Sequence, residues 1–390
     1  MAELSQPNGR VSRRNVLIGG AAGVASLAVL PLFSTPGKQQ DPAKCIAPDL
    51  SETQKQLIVS NWPAYIDEDA DGAPSTMTQF MDATGIDVTY VADVNDNQEF
   101  FAKVKNQLGS CQPTKRDMFM LTDWMAARMI QMGWIQPLNK ANVPNLDKNL
   151  ISSLQGVGWD PKRDFSAPWQ AGFTGIAYNK TLVGEVHTMD ELLTRADLNG
   201  KITLLSEMRD TMGLLLLSEG ADPANFTQDQ WDAAMEKLRK SREAGQIRAF
   251  TGNEYINDLA AGNIAACVAW SGDVAAAADE NLVFLPPDEG MMIWADNMLV
   301  PNLATHQANA EKWIDWYYDP AIAAQLAAYV WYVCPVVGAR EEMESIDPTL
   351  VDNPLIFPTP EYLKATHSFM ALSEFQMREY EGEFADVQYG

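Results

Sequence analysis

Short apolar runs alternate with amphipathic stretches along most of the chain. In the first half, this periodicity predicts strands over 57–60, 86–91 and 117–121 and helices over 75–84, 99–108 and 124–132, the last ended by Gly133. Regular alternation of strands and helices is typical of an α/β fold whose strands run mostly parallel.

A second block of the same kind follows residues 173–179. It is predicted to contain strands over 201–205 and 265–270 and helices over 207–218 and 228–244. The segments 175–179 and 295–300 are predicted to cross between two lobes, which would leave a cleft between them. A chain of 390 residues is long enough for two such lobes.

The first 33 residues have the layout of an export signal rather than of a folded element. A twin arginine, Arg13-Arg14, directly precedes the uncharged apolar run 16–33, and with Leu17 it is typical of a twin-arginine signal. The alternative is an uncleaved membrane anchor, because 18 residues are marginal for a spanning helix. The polar, proline-containing residues 34–56 are predicted to be a linker. The mature protein is therefore expected to be periplasmic or otherwise extracytoplasmic.

The chain is strongly acidic. With 52 Asp and Glu against 28 Lys and Arg, its formal net charge is −24 and its isoelectric point is about 4.4. This charge argues against nucleic acid or an anionic membrane surface as a partner. It favours a small cationic ligand, or it is simply a solvated acidic surface.

Four cysteines in an exported protein permit disulfides. Of the three possible pairings, we favour Cys45 with Cys111 and Cys267 with Cys334. The alternative for Cys267 is that it is a small core residue, because it lies in the apolar run 264–270. The cysteines and the three histidines lack the close spacing of a metal site, so no metal is expected.

Sequence motifs for catalysis and for cofactor binding are missing. The chain has no Gly-x-Ser-x-Gly elbow, phosphate loop, His-Glu-x-x-His or Cys-x-x-Cys, so neither an enzyme nor a cofactor is favoured. Glu207 and Asp210 lie three residues apart at the start of a predicted helix. They could serve as the acid/base pair of a glycoside hydrolase, or merely complement the helix dipole.

Aromatic residues recur beside carboxylates and at strand ends among the eleven tryptophans of the chain. Trp62 and Tyr65 follow the first predicted strand, and Trp270 ends another. Two further tryptophans lie near an aspartate: Trp124 directly follows Asp123, and Trp294 precedes Asp296 by two residues. Ligands bind at the carboxyl ends of strands in open α/β sheets. Aromatic faces and carboxylates together suit an organic polycation, whose ammonium groups gain roughly 0.5–2 kcal/mol each from the rings.

Several short motifs resemble the spermidine/putrescine-binding proteins of bacterial ABC transporters, over about residues 55–390. The motifs are Ser60-Asn61-Trp62-Pro63-Ala64-Tyr65, Thr122-Asp123-Trp124, Phe173-Thr174-Gly175-Ile176-Ala177-Tyr178-Asn179, Ala269-Trp270-Ser271-Gly272, Trp294-Ala295-Asp296 and Tyr332 ahead of Pro335. The chain departs from the family pattern in the order Glu207 then Asp210, in Trp124 where the family has Tyr, and in the additional Asp123.

The resemblance implies a two-lobed periplasmic binding protein of type 2 with a hinge and a ligand cleft. Lobe 1 would comprise 57–176 and 296–338, and lobe 2 would comprise 177–295 and 339–390. It implies a monomer that captures a polyamine and delivers it to an ABC transporter permease, with no catalytic residue. A receptor of the same fold for another cationic solute is the alternative. The implied ligand residues are Trp62, Tyr65, Thr122, Trp124, Glu207, Asp210, Trp270, Trp294, Asp296 and Tyr332.

Overall fold

The strands of the protein form one mixed sheet. The computed structural model describes residues 45–70 and 72–390. In this part of the chain, ten strands lie in the order β2-β1-β3-β9-β4-β7-β5-β6, with β10 beside β9 and β8 beside β4. Their bounds are β1 Gln56–Asn61, β2 Asp87–Ala92, β3 Met118–Thr122, β4 Ala167–Asn179, β5 Ile202–Leu205, β6 Ile247–Thr251, β7 Ala266–Trp270, β8 Leu282–Leu285, β9 Met291–Leu299 and β10 Thr366–His367.

Helices cover the sheet, and several of them begin at a residue whose side chain caps the helix. Ser75 caps α1, and Thr227 and Ser373 form capping boxes at the starts of α7 and α14. The bounds are α1 Thr76–Thr84, α2 Asn97–Gly109, α3 Asp123–Gln131, α4 Pro144–Asn149, α5 Met189–Thr194, α6 Met208–Ser218, α7 Gln228–Glu243, α8 Tyr255–Ala261, α9 Ser271–Ala276, α10 Gln307–Tyr317, α11 Pro320–Val330, α12 Ala339–Ile346, α13 Pro360–Leu363 and α14 Glu374–Tyr389.

Two long antiparallel strands, β4 and β9, connect the two halves of the sheet. The end of β9 pairs with β3, where Asp296 lies opposite Thr122, and the end of β4 pairs with β7, where Thr174 lies opposite Trp270. The strands β2-β1-β3 therefore form the sheet of a first lobe, and β7-β5-β6 form that of a second lobe. The predicted crossings lie within these two strands. The α/β class and the two-lobed fold are confirmed.

The predicted strands and helices of the first lobe and of the start of the second lobe agree with the observed ones to within about two residues. Gly133 ends α3 with a φ of 69°, as its position in the sequence predicts. Strands β6, β8 and β10, the short helices α4, α5, α8 and α9 and the helices after residue 300 were not predicted.

The N-terminal part that the structure describes is bound to the first lobe, although residues 34–56 were predicted to be a linker. The amide of Leu50 donates to the carbonyl of Thr305 at 2.7 Å, and the amide of Ala308 donates to the carboxylate of Asp49 at 3.1 Å. The predicted export signal over 1–33, and with it the alternative of an anchor, lies outside the described residues. Within the described ranges, every helix is too short or too polar to cross a membrane.

One of the two predicted disulfides is present. Cys45 is bonded to Cys111, which fixes the N-terminal segment to the end of α2. The pairing of Cys267 with Cys334 is wrong, because both are buried as thiols. Cys267 lies inside β7 of the second lobe, whereas Cys334 follows α11 and its thiol faces the carbonyl of Ala323. The core position considered for Cys267 is the correct one.

The assignment of residues to lobes stays a prediction. The helix α12 packs against α11, an element of the predicted first lobe, which favours extending that lobe beyond residue 338. Further on, β10 pairs with β9, and α14 packs against α7 of the second lobe.

Candidate functional site

A cavity of about 110 Å³ lies between the two lobes at the carboxyl ends of β1, β3 and β7. The ten residues expected to bind a ligand all line it: Trp62, Tyr65, Thr122, Trp124, Glu207, Asp210, Trp270, Trp294, Asp296 and Tyr332. We call this space the cleft. The first lobe contributes the loop after β1 and the end of β3, and the second contributes the starts of α6 and α9.

Five aromatic rings form a connected wall of the cleft. The ring centroid of Trp270 lies 5.8 Å from that of Trp62 and 6.3 Å from that of Trp294, in both cases edge to face. The wall continues from Trp294 to Tyr332 at 5.6 Å and from Tyr332 to Tyr65 at 5.0 Å. Rings at these distances support one another, and their faces offer an apolar surface to a chain of methylene groups.

Asp210 lies on the second-lobe side of the cleft, in the first turn of α6. Its carboxylate accepts hydrogen bonds from the hydroxyl of Thr174 at 2.6 Å and from the indole nitrogen of Trp270 at 3.1 Å. Burial raises the pKa of Asp210 to about 6, although both of these bonds lower it. The carboxylate is held in place by neutral donors, and the nearby positive charge of Arg209 also lowers its pKa.

Asp296 lies on the first-lobe side of the cleft, on the crossing strand β9. The hydroxyl of Thr122 donates to it at 2.7 Å, and Tyr65 also lowers its pKa. Burial and the nearby carboxylates of Asp123 and Asp210 have the larger effect and raise the pKa of Asp296 to about 7. An empty cleft therefore disfavours the charged form of this side chain.

Glu207 occupies the N-cap position of α6, but its carboxylate does not cap that helix. Instead it accepts hydrogen bonds from the backbone amide of Asn97 at 2.6 Å and from the side-chain amide of Asn97 at 2.9 Å. Asn97 begins α2 of the first lobe, so the bonds join the lobes. Burial, followed by the charge of Asp96, raises the pKa of Glu207.

Sequence reasoning missed Asp273, which also lines the cleft, in the first turn of α9. It accepts hydrogen bonds from the hydroxyls of Tyr332 at 2.8 Å and Tyr255 at 2.9 Å. Its pKa is raised because it is buried. The signal was present, because Asp273 follows the strand end Trp270 by three residues and this edge of a sheet collects ligand residues.

Two further charged side chains complete the cleft. Asp123 lines it, accepts a hydrogen bond from the amide of Asn297 at 2.7 Å, and has a pKa raised by burial to about 6. Arg209 is the one cation in the wall that the structure describes, and its guanidinium lies 3.5 Å from the ring centroid of Trp124. Burial lowers the pKa of Arg209 to about 10, so it stays charged at neutral pH.

The cleft therefore combines five carboxylates, of which Glu207 and Asp296 are buried, with a single guanidinium. Nothing in the described part of the chain groups three or more Asp, Glu, His or Cys side chains as a metal site would require. An organic cation satisfies the arrangement, because its ammonium groups can offset the carboxylates while its carbon chain lies on the rings.

The two lobes are closed on each other. Besides Asn97 and Glu207, the hydroxyl of Ser206 donates to Asp96 at 2.9 Å, and Tyr332 bonds Asp273 across the cleft. The closest approach is at Gly272, where a β-carbon would lie 2.4 Å from the ring of Tyr332. Two-lobed binding proteins enclose a ligand in this way, by closing the lobes over a buried site.

Two lobes joined by crossing strands, with an acidic aromatic cleft between them, are the architecture of a solute-binding protein. The chain belongs to the bacterial extracellular solute-binding protein family, whose model matches residues 75–358.

Similar proteins agree with this assignment. The putrescine-binding periplasmic protein PotF of Escherichia coli is 30% identical over 79% of this chain and 85% of that protein. The spermidine/putrescine-binding periplasmic protein 1 of Haemophilus influenzae is 26% identical over 81% and 86%. Among solved structures, the spermidine/putrescine substrate-binding protein PotD of Streptococcus pneumoniae is 26% identical with a TM-score of 0.69, covering 86% of this chain and 99% of that one.

Proposed function

We propose that the protein captures a polyamine of the putrescine/spermidine class outside the cytoplasm and delivers it to the permease of an ABC transporter. The observation that carries this proposal is the set of five carboxylates lining the cleft, opposed by one guanidinium within an aromatic wall. The similar proteins, which are named for putrescine and spermidine and are periplasmic, support both the ligand class and the location.

The ten predicted residues take roles that their contacts favour. Asp210 and Asp296, which lack a charged hydrogen-bond partner, would hold ammonium groups, with Thr122 as an additional acceptor. The rings of Trp62, Trp270, Trp294, Tyr65 and Tyr332 would pack along the aliphatic chain, with Trp124 at one end. Glu207 would add negative potential and hold the lobes closed through Asn97.

A glycoside hydrolase is not favoured as the alternative. Glu207 and Asp210 would be its acid/base pair, whereas the family to which the chain belongs is one of solute-binding proteins. We propose that the protein acts as a monomer without catalysis. Export by the twin-arginine signal, with or without anchoring, is part of the same proposal.

Isothermal titration of the purified protein, after unfolding and refolding to remove bound amines, tests the proposal. Putrescine, spermidine and spermine are titrated separately, with 1,4-butanediol as an uncharged control of putrescine's carbon length. At least one amine should bind with a Kd below about 0.1 mM, and the diol should not bind. If all three amines bind more weakly than that, the protein is not a polyamine receptor.

A further inference from the structure

Arg209 lies in the wall of the cleft between two of its carboxylates, in the first turn of α6. Its side chain is only 8% exposed, and its guanidinium covers the ring of Trp124 at 3.5 Å. A nitrogen of the guanidinium also lies 3.5 Å from the carboxylate of Glu381 on α14, which does not line the cleft.

The surroundings of this guanidinium are those of an ammonium subsite. An aromatic face, Trp124, and two carboxylates, Glu207 and Glu381, favour a positive charge at this position, and the charges of both glutamates act on Arg209. In the structure the positive charge comes from the protein itself. Arg209 Nε is buried without a hydrogen-bond partner in the described part of the chain.

We propose that Arg209 fills the third cationic position of the cleft and thereby selects a diamine over triamines and tetraamines. This proposal rests on the proposed function, since it specifies which polyamine the cleft accepts. The diamine would occupy the part of the cleft around Asp210 and Asp296, and Arg209 would mark the end of the space that a cation can use.

Two physical effects give Arg209 this role. A third ammonium group near Glu207 would meet a like charge in a buried site, where little water is present to screen the repulsion. It would also find the face of Trp124 already covered. Arg209 cannot move aside cheaply, because leaving its position would break its ion pair with Glu381.

Titration of the unmodified protein with putrescine, cadaverine, spermidine and spermine gives the first test. The diamines should bind at least tenfold more tightly than spermidine and spermine. Equal binding, or tighter binding of spermidine, would overturn the selection of diamines while leaving polyamine binding intact. Absence of binding by every amine would instead overturn the proposed function, so the two failures are distinguishable.

The variant Arg209→Met gives the second test, with Arg128→Met as its matched control. Arg128 also packs on an aromatic ring, that of Phe101 at 4.2 Å, but it does not line the cleft. Arg209→Met should raise the spermidine affinity relative to that of putrescine at least tenfold. Arg128→Met, which removes the same charge, should change this ratio less than twofold.

Circular dichroism and thermal melting establish that each variant is folded before it is titrated. A folded Arg209→Met protein with an unchanged ratio would overturn the proposal, and so would an equal change of the ratio in Arg128→Met. If Arg209→Met does not fold, the titrations of the unmodified protein still test whether the cleft prefers diamines, because they need no variant.

Discussion

At the scale of the residue, the cleft keeps several carboxylates buried by giving each of them neutral hydrogen-bond donors. Thr122 donates a hydrogen bond to Asp296, and Thr174 and Trp270 donate to Asp210. Tyrosine hydroxyls donate to Asp273. Hydroxyl and indole donors orient a carboxylate but leave its negative charge, so the attraction for a cation is preserved.

Asp296→Asn removes the charge of this side chain while its remaining oxygen can still accept the hydrogen bond from Thr122. A bound ammonium would lose a buried partner, so the affinity for the preferred polyamine should fall by about 2 kcal/mol or more, roughly 30-fold. Isothermal titration measures this loss.

The control for this change is Asp315→Asn, since Asp315 is a half-buried aspartate bonded to Asn145, outside the cleft. It should leave the affinity unchanged. A loss smaller than about fivefold in Asp296→Asn would mean that Asp296 does not hold an ammonium group.

Most of the residues that the sequence predicted for the cleft lie at or soon after a strand end, where the topology of an α/β sheet brings separate segments together. Trp294 and Asp296 instead lie within β9, and Tyr332 follows α11. Asp273 and Arg209 escaped prediction for different reasons. Asp273 is three residues beyond its strand, and Arg209 has a charge that a site for cations would be expected to exclude.

At the scale of the element, two segments of the second lobe, the start of α9 and the bend after β6, meet the facing lobe at glycines. Gly272 in α9 lies against Tyr332, and Gly252 lies against Asn95, where an added β-carbon would be 2.6 Å from the nearest atom. Contacts that short require a residue without a side chain. The close fit of the lobes therefore depends on these two positions.

Gly272→Ala should hinder closure, because the added methyl group would meet the ring of Tyr332. We expect the polyamine affinity to fall at least tenfold while the protein remains folded. Gly184→Ala is the control, since a β-carbon there has no neighbour within 4 Å. Titration of both variants checks this, and an affinity within twofold of the unmodified protein in Gly272→Ala would show that closure tolerates the methyl group.

The limits of prediction at this scale follow from burial. Every residue of β4 is buried, so its sequence lacks the alternation by which a strand is usually found, and only its second half was predicted as a crossing. The starts of α1 and α2 were easier to predict, because a capping residue directly precedes the apolar spacing of a helix at each of them. The pairing of Cys45 with Cys111 depended on a choice among three alternatives that spacing alone does not decide.

At the scale of the whole molecule, the buried carboxylates make the stability of the empty protein depend on pH. The pKa values of Asp123 and Asp210 are raised to about 6 and that of Asp296 to about 7, from an ordinary value of 3.8. A raised carboxyl pKa contributes stability that is present at low pH and is lost as pH rises through the raised value. Carboxyl groups with a lowered pKa, such as Asp69, change the stability of the protein only below about pH 4. They therefore do not oppose the loss of stability between pH 5.5 and pH 8.

The empty protein should therefore melt at a higher temperature at pH 5.5 than at pH 8, with a stability difference of about 2 kcal/mol or more. Thermal melts across this range measure it. The variant Asp296→Asn should flatten the dependence, which separates the effect of the cleft from the general repulsion of an acidic chain. The opposite slope in the unmodified protein would contradict the raised pKa values.

The crossing strands have a consequence for how occupancy is communicated. Trp294 and Asp296 contact the cleft from β9, the same strand that joins the sheets of the two lobes. A ligand that holds these side chains would therefore act on the same strand that connects the two lobes. A partner protein that recognises the angle between the lobes would not need to contact the enclosed solute. The outer shape of the protein would be enough to distinguish an occupied cleft from an empty one.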